Sequence, residues 1–383
     1  MFTKNVLFQN VLSNVAQQVG ATTKYITLHK DRNTGFAAGG ETVTLPYAGK
    51  QQYDRANVTM KYQFQTVSVT DVSLQASKRS KEFLVNVLES EYNGAKNDMQ
   101  RQLSRQGYGT GYGVICRVND ASPDATLTFD TPMVGKHPMD YFSVGGGVCF
   151  SSSATAEASA VFGLVSAITG NTTMTMTADP SAADNDYCYV AHNKTSASTV
   201  PSVSNATYEM MGLKGLIDDS TNIDALEGVT RSTDIWWKSY VSSNSTQRSL
   251  TEELMHETFL EAKKKGDPKY ILTHFDVYSA YGQLLSPDRR YTSEMKLKGG
   301  FTGWSFNEIP VIADYDCPYD EMYFVDPSSL SVEDLAPMSF LKEDGSILDR
   351  SSTQPIWQAT LRYYANLATS ACNKNAALRD VIK

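Results

Sequence analysis

Hydrophobic and polar positions change rhythm several times along the chain, and each change predicts a different element. Val6, Leu7, Val11, Leu12, Val15 and Val19 recur at helical intervals, which predicts a short amphipathic helix near the start. The glycine-bearing stretch HKDRNTGFAAGGETVTLPYAGK breaks that pattern, with a strand expected at VTLPY, residues 43–47. In VTMKYQFQTVSVT, residues 58–70, Val58, Met60, Tyr62 and Phe64 alternate with polar residues, and Val67 and Val69 then carry the pattern out of phase. A slip of one residue in a period of two predicts a strand with a bulge or bend. Two strands alone bury too little to be stable in water, so this hairpin is expected to lie on another surface.

Residues 77–105 give the clearest helix, because Leu84, Leu88, Tyr92, Ala95, Met99 and Leu103 fall on one face. At 1.5 Å per residue it would run about 40 Å, and Gly107 stands where a C-terminal cap belongs. Between about 118 and 207 Thr, Ser, Ala, Gly and Val dominate, and short alternating runs such as ATLTF and TTMTMTA predict a small all-β insertion. Residues 208–337 mix both periods. SLTEELMHETFLEAKKKGDP carries a capping box (Ser249 with Glu252), lysines in the last turn, Gly266 and Pro268. YILTHFDVYSAYGQLL predicts a strand and a helix. Trp357, Ala359, Leu361, Tyr363, Ala365 and Leu367 then alternate as one long strand.

The 383 residues carry 34 Lys+Arg against 42 Asp+Glu, a net charge of −8, which argues against a protein that grips phosphate backbones directly. A container for DNA need not be basic. Five widely spaced cysteines without a CxxC read as reduced thiols. The N-terminus lacks a signal-peptide pattern, and no apolar run approaches the length of a membrane span.

Candidate chemistry is sparse. YGTGYG, residues 108–113, follows a helix and precedes a strand, the reverse of a nucleotide-binding order, and reads as a cap and turn. The five histidines form no HxxxH or HExxH, and no GxSxG occurs. Asp314, Asp316, Asp320 and Glu321 lack calcium-loop spacing and are expected to form a solvated turn between two strands, with a calcium site as the alternative. Trp236 and Trp237 on a strand would face opposite ways, one toward a core and one toward an interface, unless both are buried. Lys50 with Asn366, Asn373 or Asn375 would suit an inter-subunit isopeptide bond, but these are expected to be ordinary surface residues.

Taken in order, several segments resemble the major capsid proteins of tailed bacteriophages, with the Hong Kong 97 type of α+β fold. They are VTLPYAGK and VTMKYQFQTVSV, SKRSKEFLVNVLESEYNGAKNDMQRQLSRQGYGTG, GLKGLIDDSTNIDALEGVTRSTDIWWKS, KGGFTGWSFNEIPVIADYDCPYDEMYFVDPSSLSV and IWQATLRYYANLATSACNKNAALRDVI. The resemblance implies an N-terminal arm (1–33), an extended β-hairpin loop (34–70), a peripheral domain with a spine helix (71–117), the β-rich insertion (118–207), an axial domain (208–337) and a return to the peripheral domain (338–383). It implies a subunit interface on the loop at Val43, Leu45, Tyr47, Tyr53, Met60, Tyr62 and Phe64. The spine-helix face would be Leu84, Leu88, Tyr92, Met99 and Leu103, and Trp236, Trp237, Asp314 and Asp316 would belong to the axial domain, the last two in the turn of a hairpin.

The implied function is a shell protein that self-assembles through hexamers and pentamers around double-stranded DNA without reading it. No catalytic residue, metal, cofactor or membrane is expected. A portal protein is the expected partner, with a separate scaffolding protein or none at all, since no fused scaffolding segment is seen, and the location would be the virion after assembly in the host cytoplasm. Alternatives are an encapsulin-like compartment shell, a tail or decoration protein, or a hydrolase using the 314–321 carboxylates.

Overall fold

Three sheets of different construction meet at the end of one long helix. The computed structural model describes residues 7, 16–18, 20–42, 44–73, 81–120, 124–130, 132–157, 159–191, 204–285, 295–296, 302–342, 347–350 and 354–382. The chain opens with β1 (Ala16–Gln18), β2 (Thr23–Asp31), β3 (Gln52–Thr59) and β4 (Lys61–Thr70), followed by α1 (Lys81–Gln106). Next come β5 (Val114–Val118), β6 (Thr126–Asp130), β7 (Gly147–Ser151), β8 (Val161–Thr169), β9 (Thr173–Met176) and β10 (Tyr187–Ala191). The mixed segment contains β11 (Tyr240–Ser242), α2 (Glu252–Lys263), β12 (Tyr270–Thr273), α3 (Phe275–Leu284), β13 (Ser305–Phe306), β14 (Ile309–Ala313) and β15 (Met322–Val325). β16 (Leu330–Phe340), β17 (Ile356–Thr369) and β18 (Ala376–Leu378) complete these elements.

β17 is the long strand that the alternation from Trp357 to Leu367 predicts, and it has a partner on each edge. β4 pairs with it antiparallel through ten consecutive positions, from Thr70 opposite Ile356 to Lys61 opposite Ala365. β16 pairs antiparallel with its second half, with register shifts on both sides of Ala336. Pro337 lies within that irregular stretch, as expected of a residue with no N–H to donate. β1 adds to β16 in parallel, so residues 16–18 are strand and not the end of the helix expected there. The other positions of that helix, Leu7 apart, lie outside the described residues.

The hairpin differs from expectation. Its strands are β2 and β3, and residues 44–47 belong to neither. Pro46 removes one backbone donor there and the segment has no strand beside it. The slip between Phe64 and Val67 is not a bulge, because β4 keeps one register throughout. Tyr62 and Phe64 stand on its exposed face, whereas Val67 and Val69 lie on the other. Both faces of β4 carry apolar residues, and that is what a period-two reading registers as a change of phase.

β5 to β10 close into a six-stranded barrel in the order β10-β5-β6-β9-β8-β7, filled by Leu127, Phe129, Phe150, Val165, Met174 and Met176 among others. The all-β insertion expected at 118–207 overlaps this barrel, whose strands run from Val114 to Ala191. The third sheet runs β11-β18-β15-β12-β14-β13. α2 and α3 cover it through Met255, Phe259, Val277 and Tyr281. Thr251, not Ser249, caps α2, its hydroxyl accepting from the Leu254 N–H at 3.3 Å. Gly107 ends α1 by donating to Leu103 O at 3.0 Å, and the left-handed conformations fall later, at Gly111 and Gly113.

Gly282 on α3 faces the Trp304 indole, which stacks on Tyr278 with ring centroids 4.5 Å apart. A Cβ at Gly282 would lie 1.7 Å from a Trp304 ring carbon. Gly282→Ala is therefore expected to destabilise the chain by about 1–3 kcal/mol despite alanine's better helix propensity, as overpacking does. A urea midpoint equal to or above that of the wild type would show that Trp304 is free to move aside.

Candidate assembly surfaces and a buried acidic junction

The β2–β3 ribbon is held at its root and exposed at its tip. Near the root, Val58 and Met60 pack on Ala368, with Ile26 and Leu335 against them. Lys24 Nζ bonds Glu333 Oε2 at 2.6 Å, and the Asn57 N–H donates to Glu227 O at 2.7 Å. Further out, Lys30 pairs with Asp234 at 2.7 Å and lies over the Trp236 ring. Between Asp31 and Gln52 the described residues form no strand. Phe36 is 89% exposed, Leu45 84% and Tyr47 98%. Large apolar side chains so bare on one segment make it a candidate interaction surface.

The proposed interface residues divide accordingly. Leu45 and Tyr47 stand free, and Tyr53 is exposed with its ring edge-on to His29. Met60 is buried at the root, held by the chain's own core and not offered to a partner. Tyr62 and Phe64 are exposed on β4, both edge-on to Tyr364 of β17. Val43 lies outside the described residues. On α1, Met99 and Leu103 are buried, whereas Tyr92 is exposed and meets Phe340. Leu84 and Leu88 are in the helix, but their side chains lie outside the described set. Trp236 and Trp237 occupy a short 3₁₀ turn and not a strand, with Trp237 buried and Trp236 half-buried beneath Lys30.

The acidic segment overturns the expectation of a solvated turn. Asp314, Asp316 and Glu321 are buried, and β14 and β15 are not a hairpin, because β12 lies between them. Tyr108, just past α1, donates its hydroxyl to Asp314 Oδ2 at 2.8 Å. Tyr141, below the barrel, donates to Asp316 Oδ1 at 2.9 Å, and the Gly135 N–H donates to Asp316 O at 3.1 Å. Lys214 Nζ meets Glu321 Oε1 at 2.8 Å, and Arg379 bridges from Glu321 at 3.7 Å to Asp218 at 3.0 Å. The segment thereby joins the end of α1, the base of the barrel and the third sheet. Asn366 and Asn375, expected on the surface, are also buried: Asn366 accepts from the Met211 N–H at 2.9 Å and Asn375 from the Asp326 N–H at 2.8 Å. Their amides are committed to holding backbone. Lys50 is exposed.

Burial sets the electrostatics of this junction. It pushes the Asp314 carboxyl up to about 6, reinforced by the neighbouring charge of Asp316, and Asp320 up to about 6, reinforced by Glu321. It raises Asp316 as well, opposed by bonds from Ser104 and Tyr141 and by the charges of Arg105 and Arg101. Glu321 moves the other way: burial resists ionisation, but Lys214 and Arg379 hold the carboxylate below its usual range. The group is built to join segments of the chain. Among the described residues no set of three or more His, Cys, Asp or Glu side chains is arranged to hold a metal ion, and no helix is long and apolar enough to cross a membrane.

No family model and no curated protein matches the sequence. Solved structures do. The capsid asymmetric unit of cyanophage A-1(L) matches over 100% of this chain and 94% of that one, with a TM-score of 0.60 at 11% identity. The chain has the fold of a phage capsid subunit. The holo-SrpI encapsulin complex from Synechococcus elongatus aligns over 100% of this chain and 89% of that one at TM-score 0.49 and 10% identity. The capsid of the native GTA particle aligns over 100% and 92% at TM-score 0.49 and 9% identity.

The junction predicts a pH effect with a definite sign. A carboxyl whose folded pKa is raised contributes stability that is present below its unfolded value, near 4, and is lost as pH rises through about 6. His274 acts oppositely: burial lowers it to about 4, so its contribution is present above about 6.5 and is lost as pH falls toward 4. The two oppose each other in one window, so the test is a difference. Asp314→Asn keeps an acceptor for Tyr108 and is expected to gain on the order of 2–3 kcal/mol relative to wild type between about pH 4 and pH 7. An equal offset at both pH values, from urea midpoints of the unassembled chain, would refute the assignment to Asp314.

Proposed function

We propose that this chain is the major capsid protein of a tailed phage, assembling in many copies into a closed icosahedral shell. The observation that carries the reading is the ribbon. Its root is locked into the subunit by Lys24–Glu333 and by Val58, Met60 and Ala368, while its tip presents Phe36, Leu45 and Tyr47 to solvent. Such a segment gains its apolar burial only on a second molecule. A capsid fold shared along the full chain makes a second copy the natural receiver.

In this reading the finer parts take Hong Kong 97-type roles. Residues before the ribbon act as an arm, the ribbon is the extended loop, and α1 is the spine of a peripheral domain completed by β16 and β17. The barrel is an insertion, and the sheet with α2 and α3 is the axial domain near the capsomer centre. Hexamers and pentamers form through contacts between unlike surfaces around symmetry axes. The shell confines double-stranded DNA without reading it, consistent with the net charge of −8. A portal protein and a separate scaffolding protein are the partners such a shell would use. Its place would be the virion, after assembly in the host cytoplasm.

Replacing residues 34–49 by a short glycine–serine turn tests the role of the tip. The variant is expected to fold, with circular dichroism and thermal midpoint close to wild type, but to stay as small oligomers where wild type closes particles in negative-stain images. Normal closed shells from the variant would remove the ribbon tip from the assembly mechanism. Wild-type particles that enclose protein cargo and no DNA would favour a compartment shell over a phage capsid.

A further inference from the structure

The barrel contains a pair of thiols whose placement goes beyond any role in building a shell. Cys116 on β5 and Cys188 on β10 are direct cross-strand partners in an antiparallel ladder. Directly opposed residues of such a ladder share a face and have Cα atoms about 4.5–5.5 Å apart, within the roughly 4.4–6.8 Å that a disulfide spans. Both belong to the barrel's filled interior, together with Leu127, Phe129 and Phe150. Burial, and after it the neighbouring Cys116 thiol, raise Cys188 above the ordinary thiol range. Both thiols are free in the structure and fully buried.

Cys149 provides an internal contrast. It is on β7, the other neighbour of β10, where it pairs with Tyr189 and not with Cys188. Alternation along β10 therefore puts Cys149 on the opposite face of the wall. It packs there with Val114, Tyr189, Ala191 and Ala206, outside the filled interior. The three cysteines are close neighbours in the sheet, yet only two share a side.

We infer that Cys116 and Cys188 form a latent disulfide site that staples the seam between β5 and β10 once the protein meets a small peroxide oxidant. The chemistry closes without another reagent. One thiol, as thiolate, attacks hydrogen peroxide, giving a sulfenic acid and releasing hydroxide. The second sulfur displaces the sulfenic oxygen, which leaves as water. Overall two thiols and one peroxide give one disulfide and two waters, and the protein loses two hydrogens. Burial raises Cys188 well above the ordinary thiol range, so the pair reacts only when the seam opens, and the step is slow. Such timing suits a protein made in a reducing compartment and later exposed to an oxidising one, a consequence that rests on the shell reading; the pairing itself does not.

The test is peptide mapping without reductant, on the full unassembled chain and on particles, before and after hydrogen peroxide. The expected product is one linked pair, Cys116 to Cys188, with a thermal midpoint that rises on oxidation and returns with reductant. Cys149→Ser keeps the link and the shift, whereas Cys188→Ser loses both. Wild-type mapping alone decides the matter should the variants fail to fold. Overoxidised or unreacted Cys116 and Cys188 without a link, or a link to Cys149, overturns the proposal. A link in a chain that never forms particles keeps the thiol site and removes the shell reading instead.

Discussion

A fourteen-residue strand cannot leave its backbone donors and acceptors empty, and the way β17 fills them shapes this molecule. One edge takes β4, which comes from almost three hundred positions earlier in the chain, and the other takes β16. β4 is fixed along ten positions, but the strand before it does not join that sheet. The chain turns at the buried Met60, and β3 leaves with β2 as a separate two-stranded ribbon. A ribbon of two strands is unstable without support. Here support reaches as far as Lys30, which is held by Asp234 and laid over Trp236, and stops there. The bare tip lies beyond that support.

The long strand and the long helix were legible because each repeats one rhythm for many residues: alternation from Trp357 to Leu367, and a three- or four-residue step from Tyr92 to Leu103. The barrel was legible from composition and turns, since short strands rich in Thr and Val with few charges suit little else. The ribbon was misplaced because TKYITLHKD, the true partner strand, sets half-buried Lys24 and Lys30 beside Ile26 and Leu28 on its covered side and so lacks a clear apolar face. VTLPY has the stronger β composition, but its described residues, 44–47, pair with no strand. Propensity is local, whereas pairing is decided by what the rest of the chain brings alongside.

The acidic segment failed for a related reason. A carboxylate belongs in solvent unless specific partners replace the water, and those partners are scattered at Tyr108, Tyr141, Lys214 and Arg379. No spacing rule joins them. The one local hint was the interleaving of Tyr315, Cys317 and Tyr319 between the acids, flanked by VIA and MYFV, an apolar content unusual for an exposed turn. Buried ion pairs add little net stability, but removing one partner strands a charge and is costly. Such a group is therefore better suited to fixing one arrangement of its surroundings than to strengthening it. The surroundings here are the end of α1, the barrel base and the third sheet, whose relative placement would otherwise rest on apolar contacts that tolerate sliding.

These two features divide the work within a subunit. The buried junction specifies how the three units meet, since Asp314 and Asp316 each accept from a different unit and a shift of either one leaves a buried carboxyl without its donor. The ribbon does the reverse: it is specified at its root and unspecified at its tip, so its final geometry depends on what it meets. In the capsid reading proposed above, a body carrying an unsatisfied projection is what a repeating assembly needs. The body transmits a defined orientation to the projection, and the projection supplies apolar area only when a neighbour is in place. Were the tip to fold back on its own subunit, as Met60 and Val58 do, that difference between free and assembled states would vanish, and with it the drive to associate.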